Sequence, residues 1–103
     1  MKVVGIVSND VLVRTRILDV LEDKDLELVQ ITEGNFDQEG FHTFLVDLNS
    51  PVALVVLAKV PQRCIAFSSA QDQETLKRAR ASGCERVYGI AKFFKEVLPS
   101  FSI

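Results

Sequence analysis

The sequence predicts a single α/β domain, residues 1–103, built on a parallel sheet. Three observations predict it. Strand-like runs alternate with helical periodicity along most of the chain, the pattern of repeated βαβ units. The opening run, Val3 to Val7, is apolar apart from Gly5, as a strand covered on both faces requires. One carboxylate, Asp47, follows the apolar run Phe44-Leu45-Val46, with Asn49 and Pro51 close behind. An aspartate there is badly placed for a core and well placed for a crevice at the edge of a sheet.

The elements follow in order. After the first strand, Ser8-Asn9-Asp10 offers three residues that favour a turn or a helix N-cap. Val11 to Glu22 is helical by spacing, with Val13, Ile17, Val20 and Leu21 on one face. Leu26 to Thr32 reads as the second strand. Glu33 to His42 has two glycines and few apolar anchors, enough for one helical turn around Asp37-Gln38-Glu39 or for none. Thr43 to Leu48 is the third strand. Val52 to Lys59, between Pro51 and Pro61, is apolar all round, so its period fits a buried helix or a strand equally. Arg63 to Phe67 is a strand, ended by Ser68 and Ser69; these serines or Asp72 would cap the helix Gln73 to Ser82. That helix stops at Gly83, in the place of a C′ glycine. Arg86 to Gly89 is a short strand. Lys92 to Leu98 is a last helix, closed by Pro99.

Composition narrows the function classes. A 48% hydrophobic and 25% charged chain of this length can bury one core without metal or disulfide staples. A net charge of −2 exerts no bulk pull toward nucleic acid or an anionic membrane. Cys64 and Cys84 make neither a disulfide framework nor a CxxC motif and read as small core residues. Met1-Lys2 runs straight into Val3-Val4 without a signal-peptide pattern, and no apolar run approaches a membrane span. The expectation is a soluble, reduced, cytoplasmic protein without a nucleic-acid or membrane partner.

Three segments carry a resemblance: Val7-Ser8-Asn9-Asp10-Val11-Leu12-Val13-Arg14, Asp47-Leu48-Asn49-Ser50-Pro51, and Cys64-Ile65-Ala66-Phe67-Ser68-Ser69-Ala70 followed by a helix and Gly83-Cys84-Glu85. In order and spacing the chain resembles the receiver domain of bacterial two-component response regulators, of which CheY is the type. The likeness implies a flavodoxin-like, doubly wound, five-stranded parallel sheet of order 2-1-3-4-5. Its crevice would lie at the ends of strands one and three, where Ser8, Asn9, Asp10 and Asp47 meet. It implies Asp47 as phosphoacceptor, Ser68 (or Ser69) as the phosphoryl-sensing hydroxyl, Lys92 as the phosphate-binding lysine, and Mg²⁺ held by Asp10, Asp47 and Asn49.

The departures matter as much. Without a gap, the family's acidic pair falls on Ser8 and Asn9; slipped by one, on Asn9 and Asp10. At most one of two carboxylates survives, which predicts weak Mg²⁺ binding and slow phosphotransfer. The family's lysine falls on Ile90, and Lys92 takes the role only with two residues inserted. The crossovers at 33–42 and 52–62 are shorter than the family's, so the second and third helices are expected to be short or missing.

Each residue also has a plainer reading. Asp47 could cap its turn, Ser68 could cap a helix, and Lys92 could be a solvated first-turn lysine. His42 stands alone in a loop. Tyr88, near the family's aromatic switch position, could be a packed strand residue. Lys77, Arg78, Arg80 and Arg86 form a basic patch, either a solvated helix face or a docking surface.

The reading that results is a non-enzymatic, receiver-like module of signal transduction, of the degenerate pseudo-receiver kind. Its expected partners are proteins, a histidine kinase or a downstream regulator, and a second copy through the last two helices. The alternative is a small flavodoxin-like nucleotide- or ligand-binding protein or enzyme; no glycine-rich phosphate loop follows the first strand to support it. Nucleic-acid binding through Lys77-Arg78-Ala79-Arg80 is thinly supported on an acidic chain.

Overall fold

Strands β1 (Lys2–Val7), β2 (Leu26–Gln30), β3 (Thr43–Asp47), β4 (Cys64–Ser68) and β5 (Arg86–Gly89) form one all-parallel sheet in the order β2-β1-β3-β4-β5. This is the flavodoxin-like, doubly wound arrangement. The computed structural model describes residues 2–32, 40–68 and 73–101. The turn considered around Asp37-Gln38-Glu39 lies outside the described residues, as do Ser69 and Asp72.

Parallel neighbours need crossovers, and helices supply them. Helix α1 (Val11–Leu21) joins β1 to β2, α2 (Ala53–Lys59) and the 3₁₀ turn Pro61–Arg63 join β3 to β4, and α3 (Gln73–Ala81) joins β4 to β5. The last helix, α4, runs from an α-turn at Ile90–Lys92 into a π-turn at Phe93–Val97. The segment between Pro51 and Pro61 is thus a helix, and a short one. Ala53, Val56, Leu57 and Val60 are buried, the i, i+3, i+4, i+7 set. Leu54 and Val55 stand in solvent, and their apolar side chains hide the period in the sequence.

Each sheet face carries its own core. On one, Val13, Ile17 and Leu21 of α1 and Phe93, Phe94 and Leu98 of the last helix cover Val4, Ile6, Leu45, Ile65 and Phe67. On the other, α2 and α3 cover Val7, Phe44, Val46 and Ala66. Phe67 and Phe93 stack with centroids 4.1 Å apart, and Phe94 meets Phe93 edge-on at 5.1 Å. The Arg16 guanidinium lies 4.0 Å over the Phe94 ring, a cation–π tie between α1 and α4. The π-turn closes with Leu98 N–H donating to the Phe93 carbonyl at 2.8 Å, and within it two consecutive phenylalanines turn inward. Phe93 and Phe94 are thus core residues and take no part in the surface of the last helix. Among the described residues no helix is long and apolar enough to cross a membrane.

Two glycines meet local demands. Gly83 has φ +102°, the left-handed conformation that ends α3. Gly5 lies where β1 is pressed between Phe44 and Ile31: a Cβ there would stand 2.7 Å from Phe44 Cδ1 and 2.8 Å from Ile31 Cγ1. Gly5→Ala is therefore expected to destabilise the fold by about 1–3 kcal/mol through overpacking, read as a lower urea midpoint at unchanged slope. A change within about 0.5 kcal/mol would show that the central strand has slack.

Candidate functional site

Asp47 is the last residue of β3, and the sheet register sets its neighbours. Val46 pairs with Val7 of β1, so Ser8 lies level with Asp47 at the same rim. Asp47 itself pairs with Phe67 of β4, which puts Ser68 one step beyond on the other side. The helices that leave β1 and β3 run to opposite faces of the sheet, and a crevice opens between them. Asn9, Asp10, Asp47, Asn49 and Ser50 line a hollow of about 320 Å³ there.

Hydrogen bonds hold this rim closely. The Ser8 hydroxyl donates to Asp47 Oδ2 at 2.8 Å, and the Asn49 N–H donates to Oδ1 at 3.0 Å. Both carboxylate oxygens of a side chain only 6% exposed therefore have partners. The Ser8 hydroxyl in turn accepts from the Asp10 N–H at 3.1 Å. The Asp10 carboxylate is the N-cap of α1: its Oδ1 accepts from the Leu12 and Val13 N–H groups at 2.9 and 3.3 Å. The turn after Asp47 is closed by the Ser50 N–H donating to the Asp47 carbonyl, 2.9 Å, and by the Ser50 hydroxyl accepting from the Val52 N–H, 3.3 Å.

Two further residues, not anticipated from the sequence, brace the loop. Arg14 Nη1 and Gln30 Nε2 both donate to the Ser8 carbonyl, at 3.1 and 2.8 Å. Arg14 stands six residues after Ser8, in the first half of α1. Gln30 comes from the neighbouring strand, 22 residues away, and leaves no local trace.

The remaining candidates are not gathered into the hollow. Ser68 is buried at 1% exposure, and its hydroxyl has no hydrogen-bond partner among the described residues. Lys92 is exposed on α4, its ammonium 5.7 Å from the centroid of the half-buried Tyr88 ring. His42 is an exposed loop residue before β3, with Nδ1 2.7 Å from the Thr43 hydroxyl. Cys64 and Cys84 are free and buried. Burial pushes the Cys64 thiol up to about 12, and the nearby Cys84 adds to the rise, so both are protonated core groups rather than nucleophiles. In the basic patch, Arg80 and Arg86 donate to the Val87 and Gln62 carbonyls at 3.4 Å, while Arg78 pairs loosely with Glu74 at 3.9 Å.

A hard divalent cation wants an octahedron of oxygens with carboxylates supplying the charge. Among the described residues no group of three or more His, Cys, Asp or Glu side chains stands together. Asp10 is committed to its helix, and Asp47 is already clasped on both oxygens. This donor set suits weak cation binding at most and does not fit a tightly held metal.

No family model matches the chain, and no curated protein matches it in sequence. In structure it is similar to the Mn²⁺-bound form of response regulator Rcp1. The TM-score is 0.70 over 96% of this chain and 90% of that one, at 17% sequence identity. That likeness shows a shared fold.

The Ser68 hydroxyl, which meets no hydrogen-bond partner among the described residues, generates a test. A buried hydroxyl without a partner carries its desolvation penalty unrepaid. Ser68→Ala is expected to leave stability unchanged or raise it by about 1 kcal/mol, measured by urea unfolding. A loss of that size would reveal a partner for the hydroxyl.

Proposed function

We propose that the chain is a receiver-like signalling module of the degenerate kind, a pseudo-receiver that works by contact with other proteins rather than by catalysis. The observation that carries this reading is the Ser8–Asp47 hydrogen bond. One carboxylate, Asp47, ends β3 at the switch point of a doubly wound sheet, the position of a receiver's phosphoacceptor. The group beside it is a neutral hydroxyl where a receiver resembling this chain would place an acid. The fold shared with a response regulator supports the same reading.

The chemistry follows from charge. A carboxylate attacking a phosphoryl group needs cations around the transferring oxygens. Here the described groups lining the hollow are two carboxylates, two amides and a hydroxyl, with no cationic side chain. Lys92 lies against Tyr88 instead. Attack by Asp47 also draws off charge that the Ser8 hydroxyl stabilises; losing that hydrogen bond costs about 1–3 kcal/mol, and each 1.4 kcal/mol is a tenfold loss of rate. Asp47 is accordingly a slow phosphoacceptor, with Ser68 the hydroxyl that a phosphoryl group would draw toward it. The output is a protein contact in the cytoplasm, with a histidine kinase or a downstream regulator as the partner class.

Incubation with acetyl phosphate and Mg²⁺, followed by intact mass measurement, tests this. The wild-type chain is expected to accumulate a phosphoryl adduct only slowly, and Asp47→Asn to accumulate none. Restoring the acidic pair with Ser8→Asp and Asn9→Asp should speed the adduct by about tenfold or more, the equivalent of 1.4 kcal/mol of barrier. Rapid, complete modification of the wild type would overturn the degenerate reading. An adduct that persists in Asp47→Asn would overturn the choice of residue.

A further inference from the structure

Ser8 is held from more sides than a turn residue needs. Its carbonyl accepts from Gln30 Nε2 at 2.8 Å and from Arg14 Nη1 at 3.1 Å, two donors on one oxygen. Its hydroxyl accepts from the Asp10 N–H at 3.1 Å and donates to Asp47 Oδ2 at 2.8 Å. The Asp10 N–H occupies a lone pair of the hydroxyl oxygen, which turns the hydroxyl proton toward the carboxylate. The whole residue is only 1% exposed.

The two donors on the carbonyl come from different elements. Gln30 ends β2, an edge strand of the sheet. Its register partner is Ile6, two residues before Ser8, so its side chain reaches along β1 to the Ser8 carbonyl. Arg14 comes down from α1. Both are half-buried. Side-chain rotamers depend on the backbone that carries them. A serine whose peptide plane is pinned by two donors, and whose hydroxyl already has an N–H against it, keeps one orientation.

We propose that Gln30 and Arg14 are positioning residues for Asp47. They act through Ser8: by fixing its peptide they aim its hydroxyl at the carboxylate. Edge strand β2 is thereby linked to the end of β3, although β1 lies between them. A displacement of the end of β2 frees the Ser8 carbonyl, lets the loop 8–10 move and withdraws a donor from Asp47. The crevice can thus be regulated from the edge of the sheet. The inference deepens the proposed function and rests on it only in taking Asp47 as the reactive group.

A cycle of Gln30→Met and Asp47→Ala, read by urea unfolding of the full chain, tests this in two backgrounds, with Ser8 and with Ser8→Ala. Two strands separated by a third lie about 10 Å apart, and positions at that distance with no shared partner act independently. Coupling through Ser8 makes the pair of substitutions less damaging than the two effects multiplied, by more than about twofold in the unfolding constant. In the Ser8→Ala background the coupling should fall within that twofold. The Asn49 N–H, which donates to the other Asp47 oxygen, supplies a reading that stability alone does not move. Gln30→Met is expected to shift the Asn49 amide resonance when Ser8 is present and to leave it in place in Ser8→Ala. Arg14→Met should behave as Gln30→Met does, and it carries the test if that variant does not fold. Independence within twofold, or an unmoved Asn49 amide, overturns the proposal. Coupling that survives Ser8→Ala also overturns it, since it then runs past the serine. Acetyl phosphate separates this result from the proposed function. Coupling in a chain that never takes a phosphoryl group upholds the positioning and ends the phosphoacceptor reading; a slow adduct at Asp47 without coupling does the reverse.

Discussion

One hydrogen bond organises the functional end of this molecule. The Ser8 hydroxyl joins β1 to β3 across 39 residues of sequence and fixes the carboxylate that ends β3. Everything at the rim is arranged about it. The Asn49 N–H completes the clasp on Asp47, the Asp10 N–H leans on the Ser8 hydroxyl, and the Asp10 carboxylate caps the helix that begins there. Arg14 and Gln30 hold the Ser8 carbonyl from the helix and the neighbouring strand. A buried carboxylate needs partners for both oxygens, and the Ser8 hydroxyl and Asn49 N–H supply them.

The sheet makes that arrangement possible. Order 2-1-3-4-5 sends the connections after β1 and β3 to opposite faces, so the two strand ends share a hollow that neither helix fills. The two cores are packed differently. The α1 side is closed by an aromatic cluster of Phe67, Phe93 and Phe94, capped by Arg16. The α2–α3 side is mostly aliphatic, with Phe44 and the partly buried Phe41 as its aromatic members, and one of its two covering helices has only seven residues. A short helix covers less of that face.

Much of this was legible in the sequence, and the illegible parts have physical reasons. The five strands, α1 and α3 follow from local periodicity and stop signals such as Asp10 and Gly83, so their positions emerge to within a residue or two. The rim location of Asp47 follows once the sheet is parallel. Helix α2 could not be told from a strand because Leu54 and Val55 are apolar yet exposed, which erases the contrast that periodicity depends on. The last helix was legible as a helix, but its π-turn at Phe93–Val97, which buries Phe93 and Phe94, has no marker in the local pattern. The bond from Ser8 to Asp47 and that from Gln30 to Ser8 join distant parts of the chain, and no local pattern encodes them. The sequence placed Ser8 in a turn at the crevice, in the position of a missing acid; the structure gives its hydroxyl a partner there.

A double-mutant cycle on Ser8→Ala and Asp47→Ala, read by urea unfolding, addresses the clasp most directly. The structure requires the two positions to be coupled by about 1–3 kcal/mol, with the pair of substitutions together less damaging than the sum of the single ones. Losses that add to within about 0.5 kcal/mol would mean that the hydroxyl and the carboxylate do not meet, and the account of the crevice would fall with them.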